Sequence, residues 1–301
     1  MSIVDAIKKA KQLQQKARLP QDGERSPDDV RGPAAPLGQA HERPVFAVPA
    51  SRGAVAPDTV PIAMPAPEFA HMQYEALKCS QNRILVPDAE TRLNQLGSPS
   101  YRMLRTRLLR RAHVQNWSCI AITSPGAGEG KSMTSLNLAL SIAREGNHDV
   151  FLIDLDMRNP SISNYLGITP PVDMVEFFNG NASAADLLFT VGIDRLTIAS
   201  STSTAANASE LLATGRLRDL LGYIRQISPN PFILLDLPPI AVTDDALVVI
   251  PHVDATVLIV AEGKTNRDQL QRALGLLADF TVAGVVLNSS IESIGTDYYG
   301  A

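Results

Sequence analysis

A surplus of either charge is missing from this 301-residue chain: 27 lysines and arginines face 31 aspartates and glutamates, a formal net charge of -4. Nothing in that balance draws the whole molecule to nucleic acid or to an anionic membrane. Cysteine is scarce too. Only Cys79 and Cys119 are present, without metal-type spacing, which excludes a disulfide framework and suits small buried thiols in a reducing compartment. Long apolar runs are absent: no window approaches the ~20 apolar residues that a membrane-spanning helix requires. The opening stretch MSIVDAIKKAKQLQQKA has no apolar core and does not read as a secretory signal. A cytoplasmic protein is expected, and if it works at a membrane a partner must hold it there. The apolar fraction of 45% suffices for a buried core.

The chain divides by composition. Residues 1–19 place Ile3, Val4, Ile7 and Leu13 among lysines at roughly helical spacing, an amphipathic helix that either docks or forms only partly by itself. Residues 20–80 read as a Pro/Ala-rich disordered linker, with ten prolines between Pro20 and Pro67. The segment SYRMLRTRLLRRA (100–112) predicts a helix with Leu104, Leu108 and Leu109 facing the core. Its five arginines read as a solvated face, or as partners for acidic groups of a neighbouring subunit.

Beyond it, strands and helices alternate. Strands are predicted over 118–123, 149–156, 194–200, 231–237, 255–261 and 283–288, and helices over 131–145, 209–227 and 266–279. Near-continuous Val/Ile/Leu strands between helices predict an α/β fold, a parallel sheet covered on both faces, over residues 81–295. Ligands of such sheets bind at the carboxyl ends of the strands.

The stretch SPGAGEGKS lies at one of those ends. A strand runs into a glycine-rich loop, and the loop opens a helix, the context that separates a phosphate loop from a chance glycine cluster. Gly126, Ala127, Gly128, Glu129, Gly130, Lys131, Ser132 and Met133 form the expected nucleotide cradle, with ATP as ligand. Lys131 would reach the β- and γ-phosphates, and the Ser132 hydroxyl would ligate Mg2+. One glycine is displaced: Pro125 stands where the strict pattern has glycine, and Gly126 follows one place late.

Two apolar strands end in carboxylates: FLIDLDMR supplies Asp154 and Asp156, and FILLDLPP supplies Asp236. A carboxylate at the end of a buried strand is costly unless it meets a metal, a donor or a ligand. All three are expected on the metal side of the phosphate loop. The structural alternatives are a turn cap at Pro238 for Asp236 and a pair held by Arg158 for the other two.

These motifs together resemble the bacterial tyrosine kinases of polysaccharide co-polymerase systems, the BY-kinases. SPGAGEGKS is similar to the family's Walker A, displaced glycine included, LIDLDMRNP to its Walker A′, and ILLDLPP to its Walker B. SELLATGRLRDLL (209–221) resembles the segment that follows in those kinases, and the chain ends GTDYYGA. The resemblance implies a P-loop NTPase-like fold and ATP-dependent autophosphorylation of Tyr298 and Tyr299 in the tail 296–301. Transfer would run in trans between self-associating kinase domains, under a transmembrane activator, and would regulate exopolysaccharide length or export. It implies catalytic or metal roles for Lys131, Ser132, Asp154, Asp156 and Asp236. The family's Glu-x-x-Arg-x-x-Arg oligomerisation motif reads here Pro99-Ser-Tyr-Arg102-Met-Leu-Arg105, with both arginines and no glutamate. A partitioning-type P-loop ATPase is the rival, against which Ser124–Ala127 lacks the second loop lysine. A nucleotide-binding adaptor without kinase activity is the third reading.

Overall fold

The structure, a computed structural model, describes residues 68–86 and 92–290. The expected opening helix, the linker up to residue 67, and the tail with Tyr298 and Tyr299 lie outside the described residues.

Among the described residues eight strands build one sheet: β1 (Ala70–His71), β2 (Cys119–Thr123), β3 (Asp149–Asp154), β4 (Phe189–Thr190), β5 (Leu196–Ala199), β6 (Pro231–Asp236), β7 (Ala255–Ala261) and β8 (Val282–Asn288). Their spatial order is β1-β4-β5-β3-β6-β2-β7-β8. Every neighbouring pair is parallel except β4 with β5. The inner strands β2 and β7 are buried along their whole length, as an apolar run without alternation requires.

Because successive side chains point to opposite faces, each inner strand feeds two cores. Cys119, Ala121, Phe151 and Ile153 pack beneath the helices Arg216–Ile227 and Arg267–Leu276. Ile120, Ile122, Val150 and Leu152 pack beneath Lys131–Ala143 and the long helix Arg92–Gln115. Among the described residues no helix is long and apolar enough to cross a membrane. Cys79 and Cys119 are free and buried, and burial raises both thiols, to about 11 and about 12.

Three findings differ from the sequence-based expectation. The linker assigned to residues 20–80 overlaps structured chain. β1 pairs with β4, the helix Ala76–Gln81 follows, and Cys79, Ile84 and Val86 belong to the second core. The helix expected over 209–227 is two helices, Ala208–Leu212 and Arg216–Ile227, with Gly215 capping the second. The arginine run is also not wholly a solvated face. Arg105 pairs with Glu145 at 3.2 Å and donates to the Ser141 carbonyl, while Arg111 donates to the Ala283 carbonyl and lies over the Trp117 ring. Arg102, Arg107 and Arg110 remain exposed.

The segment before residue 87 therefore carries core weight. Ile84→Ala should lower the free energy of unfolding by about 2–5 kcal/mol, the cost of a buried aliphatic truncation. Urea denaturation checks it, and a loss below about 0.5 kcal/mol would mean the segment does not pack as described.

Candidate nucleotide and phosphotransfer site

Three adjacent strands deliver the site. β2 lies between β6 and β7, and β6 lies between β2 and β3, with Asp154 opposite Asp236 and Ile122 also opposite Asp236. The parallel register thus carries the phosphate loop and the carboxylates of two strands to one edge.

The loop needs glycine at two places. Gly128 has φ +67° and Gly130 has φ +86°, the left-handed region that a side chain rarely adopts. A Cβ on Gly130 would also lie 2.1 Å from Asn288 Nδ2. Gly126 differs, because a Cβ there would make only an ordinary contact at 3.5 Å. Gly130 caps the helix Lys131–Ala143, whose first-turn N–H groups and dipole favour an anion. Ala127 and Gly128 are exposed, Met133 is half-buried, and Gly126, Glu129, Lys131 and Ser132 are buried.

Lys131 reaches across to the carboxylates. Its Nζ lies 2.6 Å from Asp156 Oδ2, 3.6 Å from Asp236 Oδ2 and 3.0 Å from Ser132 Oγ, to which it donates. Burial alone would lower the Lys131 pKa, but Asp236, Asp156 and Asp154 outweigh it and the ammonium is held firmly protonated. Asp236 is fully buried. Burial raises its carboxyl pKa, and Lys131 and the hydroxyls of Ser132 and Ser135 counter that only in part; Ser135 donates to Oδ1 at 2.9 Å. Its Oδ2 accepts no hydrogen bond.

Asp154 is enclosed. Its Oδ1 accepts from the Asp156 N–H, and its Oδ2 accepts from the N–H groups of Ser161 and Ile162. Burial and the neighbouring Asp236 nevertheless push its carboxyl up to about 7, against the opposing pull of Lys131. The structural pair with Arg158 does not form. Arg158 instead makes a two-pronged bond to buried Asp245, at 2.6 and 3.0 Å, and donates to the Ala206 carbonyl. Nor does Asp236 merely cap the turn at Pro238, since its carboxylate faces Ser135 and Lys131.

The donor set suits Mg2+, a hard ion that keeps several waters and is held by one or two carboxylates together with substrate phosphates. Asp236 Oδ2, buried and without a hydrogen-bond donor, and the Ser132 hydroxyl are oxygen ligands of that kind. Among the described residues no three acidic, histidine or cysteine side chains group into a metal site of their own.

Some groups at the loop carry no sequence signal. Glu129 lies in the glycine run, yet its carboxylate turns inward to accept from the Gly126 N–H at 2.9 Å and from the Thr265 hydroxyl. Lys264 donates to the Gly128 carbonyl and Asn288 to the Glu129 carbonyl. These partners are 136 and 159 residues away, too far for any local pattern to reveal.

Removing the ammonium leaves Asp156 and Asp236 buried beside each other without a cation. Lys131→Met should therefore weaken ATP binding by at least tenfold and destabilise the apo fold by roughly 3–5 kcal/mol, the cost of breaking a buried pair. Calorimetric titration and denaturation check the two effects, and a variant binding ATP as the parent does would contradict the placement.

The family model described as "ParA: NUBPL iron-transfer P-loop NTPase" matches residues 115–295. Tyrosine-protein kinase CpsD of Streptococcus pneumoniae is 33% identical over 187 residues, covering 60% of this chain and 79% of that protein. Tyrosine-protein kinase YwqD of Bacillus subtilis is 27% identical over 212 residues, covering 70% and 88%. Among solved structures, the VpsO kinase domain superposes with a TM-score of 0.58 at 28% identity, covering 65% of this chain and 98% of that one. A P-loop fold with this paired set of carboxylates, matched over most of the length of such kinases, places the protein: the chain belongs to the ParA-type P-loop NTPases and, within them, to the bacterial tyrosine kinases.

Proposed function

We propose that the chain is an ATP-dependent protein-tyrosine autokinase that phosphorylates Tyr298 and Tyr299 and thereby regulates exopolysaccharide chain length, polymerisation or export. The observation that carries the reading is the Lys131 ammonium, set among Asp156, Asp236 and Ser132 at the mouth of the helix Lys131–Ala143. A partitioning ATPase would share the phosphate loop. The family membership and the lack of a lysine in Ser124–Ala127 favour the kinase.

In this reading the nucleotide's phosphates lie on the loop from Gly126 to Met133, and Lys131 turns from Asp156 towards the β- and γ-phosphates. There it stabilises charge on the transferring group. Ser132, Asp156 and Asp236 would hold Mg2+, which would neutralise phosphate charge. The tyrosine oxygen forms the new bond to phosphorus, the bond to the β–γ bridging oxygen breaks, and ADP leaves with that oxygen. The hydroxyl proton passes to Asp154, whose raised pKa matches a base working near neutral pH. Its enclosure by Ser161 and Ile162 means that the segment 159–162 must shift to admit the hydroxyl.

The remaining assignments follow from the same reading. The chain works in the cytoplasm at the inner face of the membrane, through a transmembrane co-polymerase-type activator. Kinase domains meet one another for transfer in trans. Exposed Arg102, Arg107 and Arg110 suit acidic groups of such a neighbour, whereas Arg105 is already engaged within its own domain.

Mixing two chains tests the reading. One carries Lys131→Met with an intact tail, and the other is active but truncated before Tyr298. With Mg2+ and ATP, phosphate should appear on Tyr298 or Tyr299 of the inactive chain, read by tandem mass spectrometry. Asp154→Asn, Asp156→Asn and Asp236→Asn should each slow transfer by about 100-fold or more. Turnover of ATP without label on either chain would return the protein to the ATPase reading.

A further inference from the structure

A carboxylate inside an anion-binding loop is a physical contradiction that this fold resolves. Glu129 is 2% exposed and lies between Gly128 and Gly130, in the loop read as the phosphate cradle. A free carboxylate there would compete with phosphate for the loop's N–H groups and repel the nucleotide. Two donors hold it inward: the Thr265 hydroxyl on Oε1 and, from the start of the loop itself, the Gly126 N–H on Oε2.

Thr265 is well fixed for that task. It is 4% exposed, its oxygen accepts the Ala261 N–H at 2.8 Å, and its own N–H donates to the Ala261 carbonyl at 2.9 Å. The turn that joins β7 to the helix Arg267–Leu276 is thereby closed on itself, with Gly263 at φ +72°. The hydroxyl has its acceptor role filled and a single proton left, which goes to Glu129. The same turn sends Lys264 Nζ to the Gly128 carbonyl at 2.9 Å, and β8 sends Asn288 Nδ2 to the Glu129 carbonyl at 3.0 Å. All three bonds land on the half of the loop that carries Gly128 and Glu129.

We propose that Thr265 is a positioning residue for the phosphate loop: acting through Glu129, it keeps a carboxylate out of the phosphate site and so sets nucleotide affinity. Lys264 supports it as a second strap on the same half of the loop. The proposal rests on the nucleotide reading of the loop and adds to it a residue from outside the loop.

A double-mutant cycle on the full chain, read with a fluorescent ATP analogue and Mg2+, tests it. Thr265→Val keeps the shape and removes the proton, so the dissociation constant should rise about tenfold, the scale of losing a hydrogen bond to a charged group. Thr265→Ser should restore affinity to within about threefold, since it keeps the donor. In steady state the KM for ATP should rise by a larger factor than kcat falls. The decisive arm is Glu129→Gln: with no charge to hold back, adding Thr265→Val should then cost less than about threefold. Should Thr265→Val fold poorly, as its melting temperature will tell, Thr265→Ala takes its place in the cycle. Unchanged affinity in the valine variant, or an equal loss in both backgrounds, would overturn the proposal. A parent chain that binds no nucleotide would overturn the nucleotide reading itself, a distinct failure.

Discussion

One buried ammonium organises this protein. Lys131 sits 2.6 Å from Asp156 and 3.6 Å from Asp236, and it pulls against the burial that raises the Asp236 carboxyl. Such a cluster is no bargain for stability, since desolvating the charges costs as much as their attraction returns. The fold nevertheless spends its most buried strands on it. β2 leads into the loop, β3 ends in Asp154, and β6 ends in Asp236, three neighbours whose parallel register puts every charged group at one edge. An arrangement of this kind suits a ligand more negative than the carboxylates, which is the ground for proposing a triphosphate there.

Around the ammonium, support comes from both sides of the sheet. Ser135, one turn into the helix from Lys131, steadies Asp236, and Asp154 gathers three N–H groups from the turn that carries Asp156. Arg158, four residues past Asp154, leaves the acid cluster for Asp245 and ties that turn to the helix Asp245–Val249. On the far side of the loop, Thr265, Lys264 and Asn288 hold the backbone whose N–H groups a phosphate would need. The loop is thus shaped by residues that never enter its motif.

The legible and illegible parts of the sequence divide along the same line. Continuous apolar strands such as ILLDL and ATVLIVA announce themselves by composition, and the bounds of β7 agree with the expected 255–261. The phosphate loop and the three aspartates are legible because their spacing is local. What escaped is short or distant. β1 and β4 span two residues each, and the helices at 162–166, 174–178, 184–187 and 245–249 are too brief for a 3.6-residue period to show. The expected linker extends to residue 80 because Ala70–His71 and Ala76–Gln81 carry no strong pattern, although Cys79, Ile84 and Val86 are core residues. Arg105 and Arg111 read as solvated in the sequence because a charge run does not disclose which of its members meet carbonyls of their own domain. Glu129 reads as one more loop residue until Thr265 is seen against it.

The central claim is that the carboxylates hold the Lys131 ammonium until phosphates take it. A crystal structure of the chain with Mg2+ and a non-hydrolysable ATP analogue tests it most directly. The account predicts Lys131 Nζ within about 3 Å of the β- and γ-phosphate oxygens, its bond to Asp156 given up, and Ser132 Oγ on the metal. A bound nucleotide with Lys131 still on Asp156, and its phosphates elsewhere than on the Gly126–Ser132 loop, would contradict it.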